Sequence, residues 1–450
     1  MGHGNNFLMI KLLFLILFFY IATYTQADLN NALIETYETS SDKNLIKIVI
    51  KDNIDMKGKV TSAGSLALSD NTAKKNAFIV DKIINSNYHI YGKANLSEWA
   101  NFRSINSVSG WSSINGQTTH PINNKYNPCG SSSGSAVAVA TGIVDIAIGT
   151  ETNGSISCPA SVVGIVGMKP TLGLVSRSGI IPIADSQDTA GPMGNSVEIV
   201  AKTLQVISGS DPMDAKTQLI PNNFDFNFTE NLKQKNLNGM RFGLLNSGFD
   251  NAYGKRFLNQ LIDDVSKLGG EIVFIEDNRE YPSEEEYLVL LYEFKYGLES
   301  YLAQSSEPKK TLQKIIDYNN DYSEQIMPFF GQEIFYASLE AAEKHDEYIS
   351  AKNVLKKVTN QTITIMDKYK IDAFIGLTRG PAWKIDYEGG DGAAIADGLS
   401  FGNGGYAAFG GLPHITIPYF KIDNFPVGIS IIGRPWSDKE IIGFAAALEK

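Results

Sequence analysis

The chain has 450 residues, 43% of them hydrophobic and 20% charged, with a formal net charge of −10. That composition supplies a large apolar core and excludes the clustered lysine and arginine of a nucleic-acid-binding surface. Two cysteines, Cys129 and Cys158, do not make a disulfide framework, and their spacing fits no zinc site. The five histidines, His3, His89, His120, His345 and His414, are scattered, so neither a metal nor a cofactor is expected.

In chain order, Lys11 precedes an apolar run from Leu12 to Ala22, and Thr25-Gln26-Ala27 ends on a small residue. A basic residue, a short apolar core and a small-residue exit predict a secretory signal over 1–27 and a secreted or periplasmic protein. The run is short for a bilayer span, so no stable membrane association is expected once it is removed. An uncleaved membrane anchor is the alternative. Ile46, Ile48 and Ile50 alternate as in a strand that runs into Lys51. Residues 58–65 form a loop, 72–85 a helix, and 100–134 a long irregular stretch. A small-residue helix over 134–141 precedes a buried strand at 143–148 and a tight loop at 149–154.

Helices are predicted at 196–208 (Ser196 as cap), 255–268, 283–304, 309–345 with breaks, and 350–369. Strands are predicted at 241–245, 271–276, 371–377, 414–418 and 427–433. The alternation defines an α/β protein with a large mixed sheet and helices on both faces. Residues 28–450 are read as one domain, with 210–370 a more helical subdomain.

Three segments carry chemistry. Gly130-Ser131-Ser132-Ser133-Gly134-Ser135 exposes hydroxyls at a helix start. It also fits G-x-S-x-G with Ser132 as nucleophile. That motif needs a preceding strand and a histidine, whereas residues 119–128 are not strand-like and only His345 and His414 follow. Gly149-Thr150-Glu151-Thr152-Asn153-Gly154-Ser155 brings a buried strand to a turn bearing a serine, where successive N–H groups can converge on an oxyanion. Lys51-Asp52-Asn53 ends an apolar strand on a lysine, and burial would make its amine a base at neutral pH.

Taken together and in this order, these segments resemble the amidase signature family. Ala136–Gly142, Gly164-Ile165-Val166-Gly167-Met168-Lys169-Pro170-Thr171 and Asp188-Thr189-Ala190-Gly191-Pro192-Met193 extend the match over roughly residues 46–446. The resemblance implies a serine amidase with a Ser-Ser-Lys triad: Ser155 as nucleophile, Ser131 as bridging serine on a cis peptide bond, and Lys51 as base. It implies an oxyanion hole from the backbone of Thr152, Asn153, Gly154 and Ser155. The sequence departs from the family in two places. Ser157 stands where many members carry arginine, which weighs against carboxylate-bearing small amides. The stretch before Lys51 is shorter than usual.

Within the family, Pro128–Ser135, Ser155-Ile156-Ser157-Cys158-Pro159 and Ile180–Pro192 are most similar to peptide amidases, which remove C-terminal amides. So are Tyr292–Lys295, Pro328–Phe335 and Gly380-Pro381-Ala382-Trp383. The expected substrate is a peptide or small-molecule amide. The aromatic-rich 290–336 region either walls a peptide-sized cleft or fills a helical core. The alternatives are a glutaminase-type amidotransferase subunit, disfavoured by the signal and the acidic balance, and a non-catalytic binding protein of the same fold.

Overall fold

The computed structural model describes residues 29–450 except 39, 41, 43, 234, 246–250 and 396–403. The segment 1–27 that reads as a secretory signal lies outside the described residues. Among the described residues, no helix is long and apolar enough to cross a membrane.

The strands in chain order are β1 (Leu33–Thr36), β2 (Ile46–Lys51), β3 (Tyr88–Ala94), β4 (Trp111–Ser112), β5 (Gly116–Gln117), β6 (Ile146–Glu151) and β7 (Val166–Lys169). They continue with β8 (Thr189–Gly194), β9 (Arg241–Leu245), β10 (Glu271–Ile275), β11 (Ala373–Leu377), β12 (His414–Ile422) and β13 (Phe425–Ile432). β4 and β5 form a small hairpin inside the long irregular stretch. The other eleven make one mixed sheet in the order β1-β3-β2-β6-β8-β7-β12-β13-β11-β9-β10. β2 runs parallel to both β3 and β6, while β8 is antiparallel to β6 and β7.

The period of two along each strand explains why helices cover both faces. Ile48 and Ile50 of β2, with Ile146 and Ile148 of β6, pack into a core that includes Ile79, Val80, Val200, Leu204 and Ile441. The intervening Val49 and Ala147 face the opposite way, against Ala136, Val137, Ile156 and Ala160. The first face is covered by helices Phe78–Ile84, Val197–Ile207 and Asp438–Leu448; the second by Ser133–Ala140 and Ser157–Val163. Ser196 caps its helix as expected, accepting from Ile199 N.

A second core lies among the long helices. Phe294 and Phe335 stack with ring centroids 5.5 Å apart, and Trp99 meets Phe335 edge-on at 5.4 Å. Both phenylalanines are buried, so this part of the 290–336 aromatic region is helical core rather than cleft wall. Aromatic burial of this kind contributes several kcal/mol per ring.

Several boundaries differ from expectation. The helix at 72–85 is only Phe78–Ile84, because Ala73 N donates to Lys59 O and Gly58 N donates to Ala73 O, both at 2.8 Å, committing that backbone to the preceding loop. The strand placed at 143–148 runs from Ile146 to Glu151. Gly149 is a strand residue, not a turn residue: a Cβ there would stand 2.8 Å from Ser132 Oγ. The region 309–345 breaks into Leu312–Asp321, Ser323–Ile326 and Glu333–Ala341, and the next helix starts early, at His345. β1, β3, β7, β8 and the C-terminal helix have no counterpart among the predicted elements. β7 has only four residues, and β8 carries two glycines and Pro192, which weakens their strand pattern.

Candidate active site

Lys51 ends β2, and Thr150 lies near the end of the adjacent parallel β6. The Gly/Ser-rich segment passes across these ends before entering its helix. The result is a buried polar cluster around one amine. Lys51 Nζ lies 2.8 Å from Ser131 Oγ, 2.9 Å from Thr150 Oγ1, 3.0 Å from Ser132 Oγ and 3.3 Å from Thr150 O. Lys51 is fully buried and forms no ion pair with any described residue. Burial drives its pKa down to about 7, against the weaker opposing pull of Asp188 and Glu151. The Gly130–Ser131 peptide is cis, as the resemblance implied.

Ser155 follows β6 across a turn in which Gly154 takes a φ of +86°, a conformation that favours glycine. Ser132 N donates to Ser155 O at 3.2 Å, so the two serine-bearing segments touch through the backbone. The Ser155 hydroxyl itself hydrogen-bonds to no described residue. The structure therefore brings Lys51 and Ser131 into side-chain contact and sets Ser155 beside them. Contacts of this kind commonly close only when substrate binds. The N–H groups of Thr152, Asn153, Gly154 and Ser155 find no acceptor among the described residues.

That turn is braced from several sides. Glu151 Oε2 accepts from Ile156 N (2.7 Å), Ser157 N (2.8 Å) and Ser157 Oγ (3.1 Å), so the carboxylate anchors the backbone that follows Ser155. Thr152 Oγ1 donates to Asp188 Oδ1 at 2.6 Å. Asp188 Oδ2 accepts from Ile183 N and Ala184 N, and burial pushes this carboxyl up to about 6. Asn153 Nδ2 donates to Glu286 Oε1 at 2.9 Å. Cys129 and Cys158 form a disulfide, with Cα atoms 6.0 Å apart, tying the residues before Ser131 to the helix after Ser155.

The residues missed in the sequence are the supports: Thr150, Ser132, Glu151 and Asp188. A carboxylate at the end of an otherwise uncharged strand was the available signal for Glu151. The G-x-S-x-G reading of Ser132 does not hold. Its hydroxyl is fully buried, donates to Thr150 O (3.1 Å) and accepts from Thr150 N (3.2 Å). Neither downstream histidine joins it: His414 bonds Ser430 within the sheet, and His345 bonds Tyr292 on a helix.

The fold and this cluster define a hydrolase of amides. The amidase family model matches residues 21–442, and the chain belongs to the amidase family. Among solved structures, it is similar to a peptide amidase PAM in complex with the competitive inhibitor chymostatin. That match has 37% identity and a TM-score of 0.87 over 93% of this chain and 89% of the other. Among curated proteins, it is 31% identical to a probable amidase of Arabidopsis thaliana, over 90% of this chain and 76% of that one. It is likewise 31% identical to a glutamyl-tRNA(Gln) amidotransferase component of Symbiobacterium thermophilum, over 90% of this chain and 82% of that one.

Proposed function

We propose that the protein hydrolyses the C-terminal amide of peptides with Ser155 as nucleophile, Ser131 as proton relay and Lys51 as general base. A serine hydroxyl attacks an amide only when a base takes its proton. Neutral Lys51 accepts the Ser131 proton while Ser131 accepts the Ser155 proton. The Ser155 oxygen bonds to the carbonyl carbon, and the carbonyl oxygen becomes an oxyanion facing the N–H groups of Thr152 to Ser155. As the C–N bond breaks, the proton returns from Lys51 through Ser131 to the leaving nitrogen, which departs as ammonia. Water then repeats the sequence on the acyl-enzyme, releasing the carboxylic acid and restoring Ser155.

The observation that carries this reading is Lys51 Nζ, buried without a described counter-ion, 2.8 Å from Ser131 Oγ. Peptide amides are favoured as substrate by the similarity to the peptide amidase. Export to an oxidising compartment accords with the Cys129–Cys158 bond and with the apolar, signal-like start of the chain. The test is ammonia release from peptide amides, simple aliphatic amides and glutamine, run beside Ser155→Ala. Peptide amides should be turned over fastest and the variant should be inactive. Preferential release from glutamine would favour the amidotransferase reading, which the similarity to the Symbiobacterium thermophilum protein keeps in play.

A further inference from the structure

Most buried cations outside the Lys51 cluster have a carboxylate partner, Lys169 being an exception that donates only to Pro170 O at 3.2 Å among the described residues. Arg103 meets Glu98 at 3.2 Å and donates to Ile326 O at 2.7 Å. Lys93 meets Asp52 at 2.9 Å, and Arg177 is bidentate to Asp214. Arg379 differs. It stands two residues beyond β11, half-buried, and its guanidinium makes no hydrogen bond or ion pair with any described residue. It lies against the ring of Trp383, 4.9 Å from Cζ. The carboxylate that acts on it through space is Asp391, and that group is already engaged. Asp391 Oδ1 accepts from Asn127 Nδ2 (2.9 Å) and Trp383 Nε1 (3.1 Å), and Oδ2 accepts from Ser109 N (2.9 Å).

Its neighbours connect Arg379 to the segments that carry both serines. Thr378 N donates to Gly428 O at 2.9 Å, and Gly428 N donates to Ser161 Oγ at 2.8 Å, in the helix that follows Ser155. Trp383 packs in one apolar cluster with Cys129 and Cys158, which lie two residues before Ser131 and three after Ser155. Asn127 N donates to Trp383 O at 2.7 Å, and Asn127 Oδ1 accepts from Cys129 N at 2.8 Å. Asp391 supplies a nearby negative charge but no hydrogen bond to the guanidinium, so the Arg379 N–H groups have no acceptor among the described residues. Guanidinium geometry suits a carboxylate, which it can hold through two parallel bonds.

We propose that Arg379 is a specificity residue whose guanidinium receives a carboxylate on the acyl portion of the substrate. The inference rests on the amide-hydrolysis reading. Ammonia, the leaving group of a primary amide, carries no acidic group, so the anion belongs to the acyl side. Peptide amides with aspartate or glutamate at or next to the amidated residue are then the preferred class.

The test is kcat/KM on N-acetylated dipeptide amides that differ only in carrying glutamate, leucine or lysine at the amidated or preceding position. Wild type, Arg379→Gln and Arg379→Lys are compared. The wild type should favour the glutamate peptide at one of the two positions by about tenfold or more, the scale of a charge-assisted hydrogen bond. Arg379→Gln should abolish that preference while its kcat on the leucine peptide stays within about twofold of wild type. Arg379→Lys should keep part of it, as a point charge without the fork. A wild type indifferent to side-chain charge overturns the inference, as does a preference that survives in Arg379→Gln. An equal loss on all three peptides also overturns it, since that is what a bond to a backbone carbonyl gives. Absence of turnover on every peptide amide by the wild type is separate, because it removes the amide reading underneath.

Discussion

Lys51 Nζ and Ser131 Oγ lie 2.8 Å apart in a fully buried setting where the amine contacts hydroxyls and one carbonyl but hydrogen-bonds to no carboxylate among the described residues. An ammonium would need a counter-ion there, and hydroxyls do not supply one. The neutral amine is the form the proposed mechanism needs: its lone pair would take the Ser131 proton while its two protons remain for Thr150 and Ser132.

The lysine is therefore expected to be catalytic rather than structural. Lys51→Met removes the base and keeps the side-chain volume. The kcat on a peptide amide should fall by about 10²–10⁴, the range a positioned base contributes. Thermal stability should hold, because an apolar side chain replaces a buried amine. An unfolded variant would mean that the amine is needed to hold the cluster together; a variant with wild-type kcat would mean that the base lies elsewhere.

Glu151 is expected to act on the proposed reaction through the turn it holds. Glu151→Gln keeps the shape but replaces an acceptor of three hydrogen bonds by a group that turns an N–H toward some of the same donors. Charged hydrogen bonds of this kind are worth about 1.5–3 kcal/mol each. The expected outcome is a kcat lowered by roughly tenfold to a hundredfold with KM little changed, since the loss falls on the alignment of Ser155. Steady-state kinetics on one peptide amide separates the two constants.

The disulfide is predicted to stabilise as well as align. Its cysteines are 29 residues apart, and closing a loop of that length is worth roughly 3–4 kcal/mol in the chain-entropy model. Paired substitution of Cys129 and Cys158 by serine should lower Tm, and dithiothreitol should lower the wild-type Tm without affecting the variant. Equal melting of the oxidised protein and the variant would remove the bond from the stability account.

The three segments of the candidate site are legible in the sequence because each has a local signature: a lysine after an apolar strand, serines between glycines, a serine after a glycine turn. The supports were hidden for physical reasons. Thr150 and Glu151 were assigned to a loop because Gly149 looks like a turn residue, whereas it is a glycine that lets Ser132 approach β6. Asp188 heads a segment that the sequence marks, but its bond to Thr152 is made across the fold, which no local pattern encodes. The pairing of Cys129 with Cys158 depends likewise on two loops meeting. β7 was hidden because it has only four residues, and β8 because two glycines and Pro192 weaken its strand pattern, even though every residue of both is buried.

The most direct test of the central claim is the pH dependence of kcat/KM on a neutral peptide amide. In the proposed mechanism Lys51 works only when deprotonated, and burial lowers its pKa to about 7. Activity should therefore fall tenfold per unit below that point and level off above it. A profile flat down to about pH 5, or one that begins to rise only near the ordinary lysine range of about 10.4, would contradict a neutral lysine as the base.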